Sequence, residues 1–204
     1  MLSVLNALVL KPLDLPHADR LYAIVQKGQG DDGQSYPDYI DYRTRNSTFT
    51  DIAGYRTTDV GLSFHGPAEK RWDHEVTGNY FDVLGIQPAL GRFFHAREEH
   101  GPNSAPYIVL SDAFWRSRFQ ADPAVIGAVV LLNKHPFTII GVAPANFHGV
   151  DLFMWPDIWT PIVNEPQVEG FDFLTKRGNH IAWIVGLLKP GVGATGLGQP
   201  ERDC

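Results

Sequence analysis

The chain has 204 residues, 44% of them hydrophobic and 20% charged, which is enough apolar material for a core and excludes wholesale disorder. Its formal net charge of -6 excludes the basic surface with which a nucleic-acid binder neutralises phosphates. The single cysteine, Cys204, excludes an internal disulfide and a cysteine-based zinc site.

Residues 2–10, Leu-Ser-Val-Leu-Asn-Ala-Leu-Val-Leu, form an apolar, helix-compatible run that stops at Lys11-Pro12, a charge followed by a helix breaker. A membrane-crossing helix needs about 20 such residues. A signal peptide needs a basic start and a small-residue cleavage site, and the run has neither. It reads either as a short amphipathic helix packed on the core or as the end of a membrane helix leaving the bilayer.

Leu21–Gln26 is a compact β-type run, ended by the loop from Gly28 to Gly33. Ser35 then caps a helix that carries Pro37 in its first turn, where a missing N–H costs nothing, and that runs to Asn46. Phe49, Ile52 and Ala53 add a short apolar turn. Strands follow at residues 59–64 and 71–76, joined by His65-Gly66-Pro67. Asn79 opens a helical turn or two that Gly85 stops. After a Gly/Pro-punctuated stretch come a strand at Tyr107–Leu110 and a helix at Asp112–Phe119 capped by Ser111. Residues 128–132 and 137–142 make a hairpin around Asn133 to Pro136. A short strand lies within residues 156–161, and the last strong strand spans 180–188 until Lys189-Pro190-Gly191. The order predicts an α+β fold of about seven strands and three or four short helices.

Chemistry-bearing motifs are sparse. Gly28, Gly30 and Gly33 match the spacing of a dinucleotide loop, but Asp31 and Asp32 would face a pyrophosphate, so the match reads as a solvated turn. His95 and His100 bracket Glu98 and Glu99 without the spacing of a helical metal site. Neither a serine elbow nor a phosphate loop occurs, and nothing in the sequence pairs the carboxylates of Asp73, Glu75, Asp151 and Asp157. Trp155 and Trp159 read as core packing ahead of a sugar platform. The residue-level reading is therefore of no catalytic residue, no cofactor and no metal.

Whole phrases of the chain go further. Residues 4–13, Val-Leu-Asn-Ala-Leu-Val-Leu-Lys-Pro-Leu, with Asp19-Arg20-Leu21, resemble the junction between a first membrane helix and the exported domain of MacB-like permeases. So do residues 35–43, Ser-Tyr-Pro-Asp-Tyr-Ile-Asp-Tyr-Arg, residues 49–55, Phe-Thr-Asp-Ile-Ala-Gly-Tyr, and residues 76–85, Val-Thr-Gly-Asn-Tyr-Phe-Asp-Val-Leu-Gly. Residues 88–94, 109–115, 122–127, 137–142, 155–161 and 185–192 continue the series in order. The pattern is similar to the FtsX-like group of orphan ABC-transporter permeases that lack a fused ATPase.

The resemblance implies a membrane-proximal βαβ lobe, residues 13–90 and 178–192, interrupted by an inserted mixed α/β lobe, residues 91–177. It places the end of a first transmembrane helix at 1–12 and an irregular tail at 193–204. It implies a non-catalytic domain on the periplasmic side of the bacterial inner membrane. Such a domain transmits conformational change for export or extraction of substrate, working with the rest of the permease, a separate ATPase subunit and periplasmic partner proteins. A secreted α+β hydrolase or carbohydrate-binding domain is the reading from another class. Three departures stand out: Asn133-Lys134 replaces the usual Asn-Gly, predicting a looser turn, the first helix is present only as its end, and residues 193–204 resemble nothing in the family, as a truncated fragment would.

Overall fold

The computed structural model describes residues 2–5, 15–26, 33–151 and 153–192. Among them are ten strands and four α-helices in mixed α/β order. In chain order these are β1 (Leu2–Leu5), β2 (Leu21–Gln26), α1 (Tyr36–Arg45), β3 (Phe49–Ser63), β4 (Glu69–Val76), α2 (Tyr80–Leu84) and β5 (Leu90–Gly91). Then come β6 (Tyr107–Leu110), α3 (Asp112–Phe119), β7 (Val129–Leu132), β8 (His135–Val142), β9 (Ile158–Pro161), α4 (Glu165–Glu169) and β10 (Trp183–Leu188).

All strands join one mixed sheet in the order β1-β2-β10-β3-β4-β9-β6-β8-β5, with β7 bridging β8 and β3. The last strand, β10, lies antiparallel between β2 and β3, as expected for the strand at 180–188. Hydrogen bonding also runs from β3 through β4, β9, β6, β8 and β7 back to β3, closing a ring of strands. Closure leaves those strands without a free edge.

β3 is the long element, 15 residues, and it belongs to both parts. Its first half pairs with β10 and its last two residues, Leu62 and Ser63, pair with β7, while β4 runs beside it from Tyr55 to Leu62. Side chains alternate across a strand, so neighbours on β3 enter different cores. Ile52 joins Tyr22, Ile24, Phe49 and Ile184 beneath Tyr39 of α1, whereas Ala53 joins Leu21, Val185 and the α2 residues Tyr80, Phe81 and Leu84 on the opposite face. Val60 and Leu62 enter a third core with Ile108, Leu110, Leu132, Phe137 and Ile158 from the ring strands and Phe114 and Phe119 from α3.

Local signals explain most boundaries. Ser35 accepts the Asp38 backbone N–H and Ser111 that of Phe114, so both helices start where the sequence places a cap. Gly85, at φ 71, closes α2.

Four readings are corrected. Phe49, Ile52 and Ala53 are strand, because β10 pairs along them. The turn of Asn133 and Lys134 is tight: both have positive φ, 45 and 76, and Leu132 pairs directly with His135, as in a two-residue hairpin loop. Asparagine tolerates that conformation, and its side chain adds bonds to Gly61 N and Val168 O. Leu2–Leu5 is a strand on β2 rather than helix, since an unpaired β2 edge offers it backbone partners. β5 and α4 were not foreseen in the sequence. The remainder of the apolar run at 6–12, the Gly28–Asp32 part of the glycine loop and the 193–204 tail lie outside the described residues. Among the described residues no helix is long and apolar enough to cross a membrane.

Close backbone approach makes one substitution diagnostic. A Cβ on Gly141, which pairs with Gly91 of β5, would lie 2.1 Å from the Arg92 carbonyl oxygen. Gly141→Ala is expected to destabilise the domain by about 1–3 kcal/mol, as forced overpacking does. Urea denaturation of the two proteins measures this, and an unchanged midpoint would contradict the β5–β8 register.

Candidate functional site

The inward face of the ring changes character along its strands. Val60 and Leu62 of β3 point the same way as Arg56 and Thr58, because they are two residues apart. On β4, Asp73 lies opposite Thr58 and Glu75 opposite Arg56, and on β9 Thr160 lies beside Glu75. The ring interior is thus apolar at one end and charged at the other, and α4 closes the charged end.

The partners are specific. Arg56 Nη1 donates to Glu75 Oε2 at 2.9 Å, and its Nη2 reaches Glu169 Oε1 of α4 at 3.0 Å. Thr58 Oγ1 donates to Glu169 at 2.6 Å, and Thr160 Oγ1 donates to Asp73 at 2.7 Å. The guanidinium also lies over the Phe173 ring, 5.3 Å from its centroid. Glu165 accepts the Phe173 backbone N–H at 3.3 Å. Asp73, Glu75 and Glu165 are each at most 1% exposed.

Four carboxyl groups therefore surround one guanidinium. If all were ionised the group would carry an uncompensated buried negative charge, which low dielectric makes expensive. Burial instead raises Asp73 to about 7 against the pull of Thr160 and Arg56, and raises Glu165 to about 7. It raises Glu75 well above the ordinary range despite Arg56. Asp73 Oδ1, Glu75 Oε1 and Glu165 Oε1 are buried without a hydrogen-bond partner. This arrangement clamps α4 to the β3–β4 ribbon.

The same alternation sends His74, between Asp73 and Glu75, to the other face. There it lies 5.9 Å from the Tyr55 ring and 6.5 Å from Trp159, and burial lowers its pKa to about 4. It is a neutral core histidine.

The other residues singled out in the sequence are dispersed. His95 bonds Asp82 at 2.9 Å, while the backbone N–H of His100 bonds Ser104. Asp151 accepts the Phe153 and Met154 backbone N–H groups, and Asp157 that of Trp72. Trp159 is fully buried, whereas Trp155 is 62% exposed and stacks on His148. Among the described residues no group of three or more His, Cys, Asp or Glu could hold a metal ion. Asp73 and Glu75 are brought together after all. The signal was two carboxylates two residues apart inside a strand, which must share a face, although Arg56, Glu165 and Glu169 carry no local mark.

A closed ring of strands joined to an open sheet through one long hairpin defines a mixed α/β domain. The chain belongs to the MacB-like periplasmic core domain family, whose model matches residues 1–197. It is 30% identical over 110 residues to the macrolide export ATP-binding/permease protein MacB of Neisseria gonorrhoeae, covering 52% of this chain. The match spans only 15% of that relative's length. The crystal structure of the periplasmic region of MacB from Actinobacillus actinomycetemcomitans superimposes with a TM-score of 0.63 at 17% identity, covering 83% of this chain and 71% of that one. A domain of a putative permease protein from Porphyromonas gingivalis gives 0.64 at 16% identity, covering 90% and 82%. At these identities the structural likeness is one of fold.

The raised carboxyl pKa values set a pH dependence. Between the ordinary Asp value of 3.8 and about 7, the folded protein holds a proton on Asp73 that the unfolded chain releases. Stability from this group is therefore full in acid and is lost as pH rises towards and through about 7. His74 works oppositely, losing stability as pH falls from 6.5 to about 4. Asp73→Asn removes the first contribution and keeps the second. In thermal melts, the variant should lose less stability than the parent between about pH 5 and about pH 8. Equal losses would show that Asp73 is not held protonated.

Proposed function

We propose that this domain is the non-catalytic periplasmic part of an ABC-transporter-type permease at the bacterial inner membrane. It carries conformational change to substrates that are exported or extracted across the envelope. Its partners are the rest of the permease, a separate ATPase subunit and periplasmic proteins. Membership of the MacB-like periplasmic core domain family supports the setting.

The observation that carries the mechanical part is β3. One strand of 15 residues pairs with β10 at one end and with β7 of the closed ring at the other. A movement applied at the β2–β10–β3 sheet is passed along that strand and its partner β4 instead of being absorbed by a loop. Arg56, Thr58 and Glu169 brace the same ribbon from inside. In this reading a membrane-proximal lobe, residues 13–90 and 178–192, and an inserted lobe, residues 91–177, are joined through the β3–β4 ribbon, which also forms part of the ring. The first lobe takes up the motion and the second delivers it.

The test uses the full permease reconstituted in lipid with its ATPase subunit. Spin labels at Arg45→Cys, ending α1, and Lys134→Cys, at the ring hairpin, should keep one mutual distance with and without ATP. The Lys134→Cys label should change its distance to a label in the membrane helices when ATP is bound. A ring label that stays fixed relative to the membrane throughout the ATP cycle would defeat the proposal. So would ATP hydrolysis by the isolated domain.

A further inference from the structure

Tyr36 and Tyr39 are three residues apart on α1, so they share a helix face, and their ring centroids lie 5.5 Å apart at 42°. They line a cavity of about 350 Å³ whose far side is apolar, with Val163 and Leu174, and whose remaining wall includes Glu99. The Tyr39 hydroxyl donates to Asn79 at 3.1 Å, which fixes that ring in place.

Glu99 is held there by design of the backbone. Its carboxyl is hydrogen-bonded to the backbone of Gly78, and any Cβ at that position would lie 2.7 Å from its carboxyl carbon. Glycine is what lets the carboxyl in. Its Oε1 is buried with no hydrogen-bond partner.

The charges around the cavity do not cancel. Arg43 also lines it, but its guanidinium is engaged in two bonds to Asp51, at 2.8 and 3.1 Å. Arg177 is likewise bound to Asp38 and Asp41, and Glu98 to Arg92. With Arg43 and Asp51 balanced, an ionised Glu99 leaves the cavity one negative charge. The face of Tyr36, the apolar walls and a single uncompensated carboxylate together match an ammonium group carrying an apolar substituent.

We propose that this cavity is a binding site for a small organic cation, whose ammonium group sits against the Tyr36 ring and pairs with Glu99. Burial raises the empty site's Glu99 to about 7, with Gly78 and Arg43 opposing, while burial also keeps Tyr36 and Tyr39 neutral. A bound cation favours the ionised carboxylate, so binding releases a proton and tightens as pH rises through about 7.

The probe is choline, with its neutral isostere 3,3-dimethylbutan-1-ol as the control, each titrated into the isotopically labelled full chain and followed by amide chemical shifts. Choline is expected to shift the amides of α1 and of residues 96–102 and to bind roughly tenfold more tightly than the alcohol. Its affinity should fall several-fold between about pH 8 and about pH 6. Glu99→Gln should narrow the difference between the two probes and abolish the pH dependence. Tyr36→Leu should weaken choline more than the alcohol, and melting curves of both variants confirm that they are folded. Equal binding of the two probes by the parent protein, choline affinity indifferent to Glu99→Gln, or no shift at high choline concentration would each overturn the proposal.

Discussion

The alternation of side chains along β3 is the constraint on which the rest of the structure depends. A strand sends successive residues to opposite faces, and β3 is long enough to do so in two surroundings. In its first half the faces are covered by α1 and α2, with Ile52 and Ala53 on opposite sides. In its second half one face becomes the lining of the ring, and Arg56, Thr58, Val60 and Leu62 all point into it. A one-residue slip would exchange these faces, exposing Val60 and Leu62 and burying Asp59. The register with β4, continuous over eight pairs from Tyr55–Val76 to Leu62–Glu69, excludes that slip.

The charged end of the ring is costly by itself, because desolvating ions is opposed by every kilocalorie of transfer energy. It persists because the chain reduces the charge it buries. Burial works against the charge on Arg56 but the surrounding carboxyls outweigh it, and burial holds Asp73 towards its neutral form. The apolar cores beside it hold Phe81, Phe137, Trp159 and Leu110 at no more than 1% exposure. Each such side chain contributes about 1.5–3 kcal/mol, so the surrounding burial is large enough to carry a polar joint. In return the joint specifies position: α4 can dock only where Glu169 meets both Arg56 and Thr58.

The likeness of fold to the MacB periplasmic region and to the Porphyromonas gingivalis permease domain, at TM-scores of 0.63 and 0.64 with only 17% and 16% identity, fits this picture. Within this chain, Gly141 under the Arg92 backbone and Gly186 under the Phe49 ring, 2.5 Å from a would-be Cβ, are positions where close packing leaves no room for a side chain.

The sequence by itself determined the local elements and the family. Ser35 and Ser111 as caps, Gly85 as a helix stop, the hairpin at Asn133 and the α+β order were legible because each follows from residues within a few positions of one another. The phrases shared with MacB-like permeases were legible for the same reason. Tertiary structure alone decided that Phe49 to Ala53 continue a strand, since only pairing with a segment more than a hundred residues away makes it one. It alone decided that Leu2–Leu5 is extended on β2. It decided, too, that Asp73 and Glu75 share Arg56 with Glu165 and Glu169, and that Glu99 meets Tyr36 and Tyr39. Spacing along a chain constrains near neighbours, whereas the charge a buried carboxyl carries depends on partners and burial that exist only once the distant segments have packed.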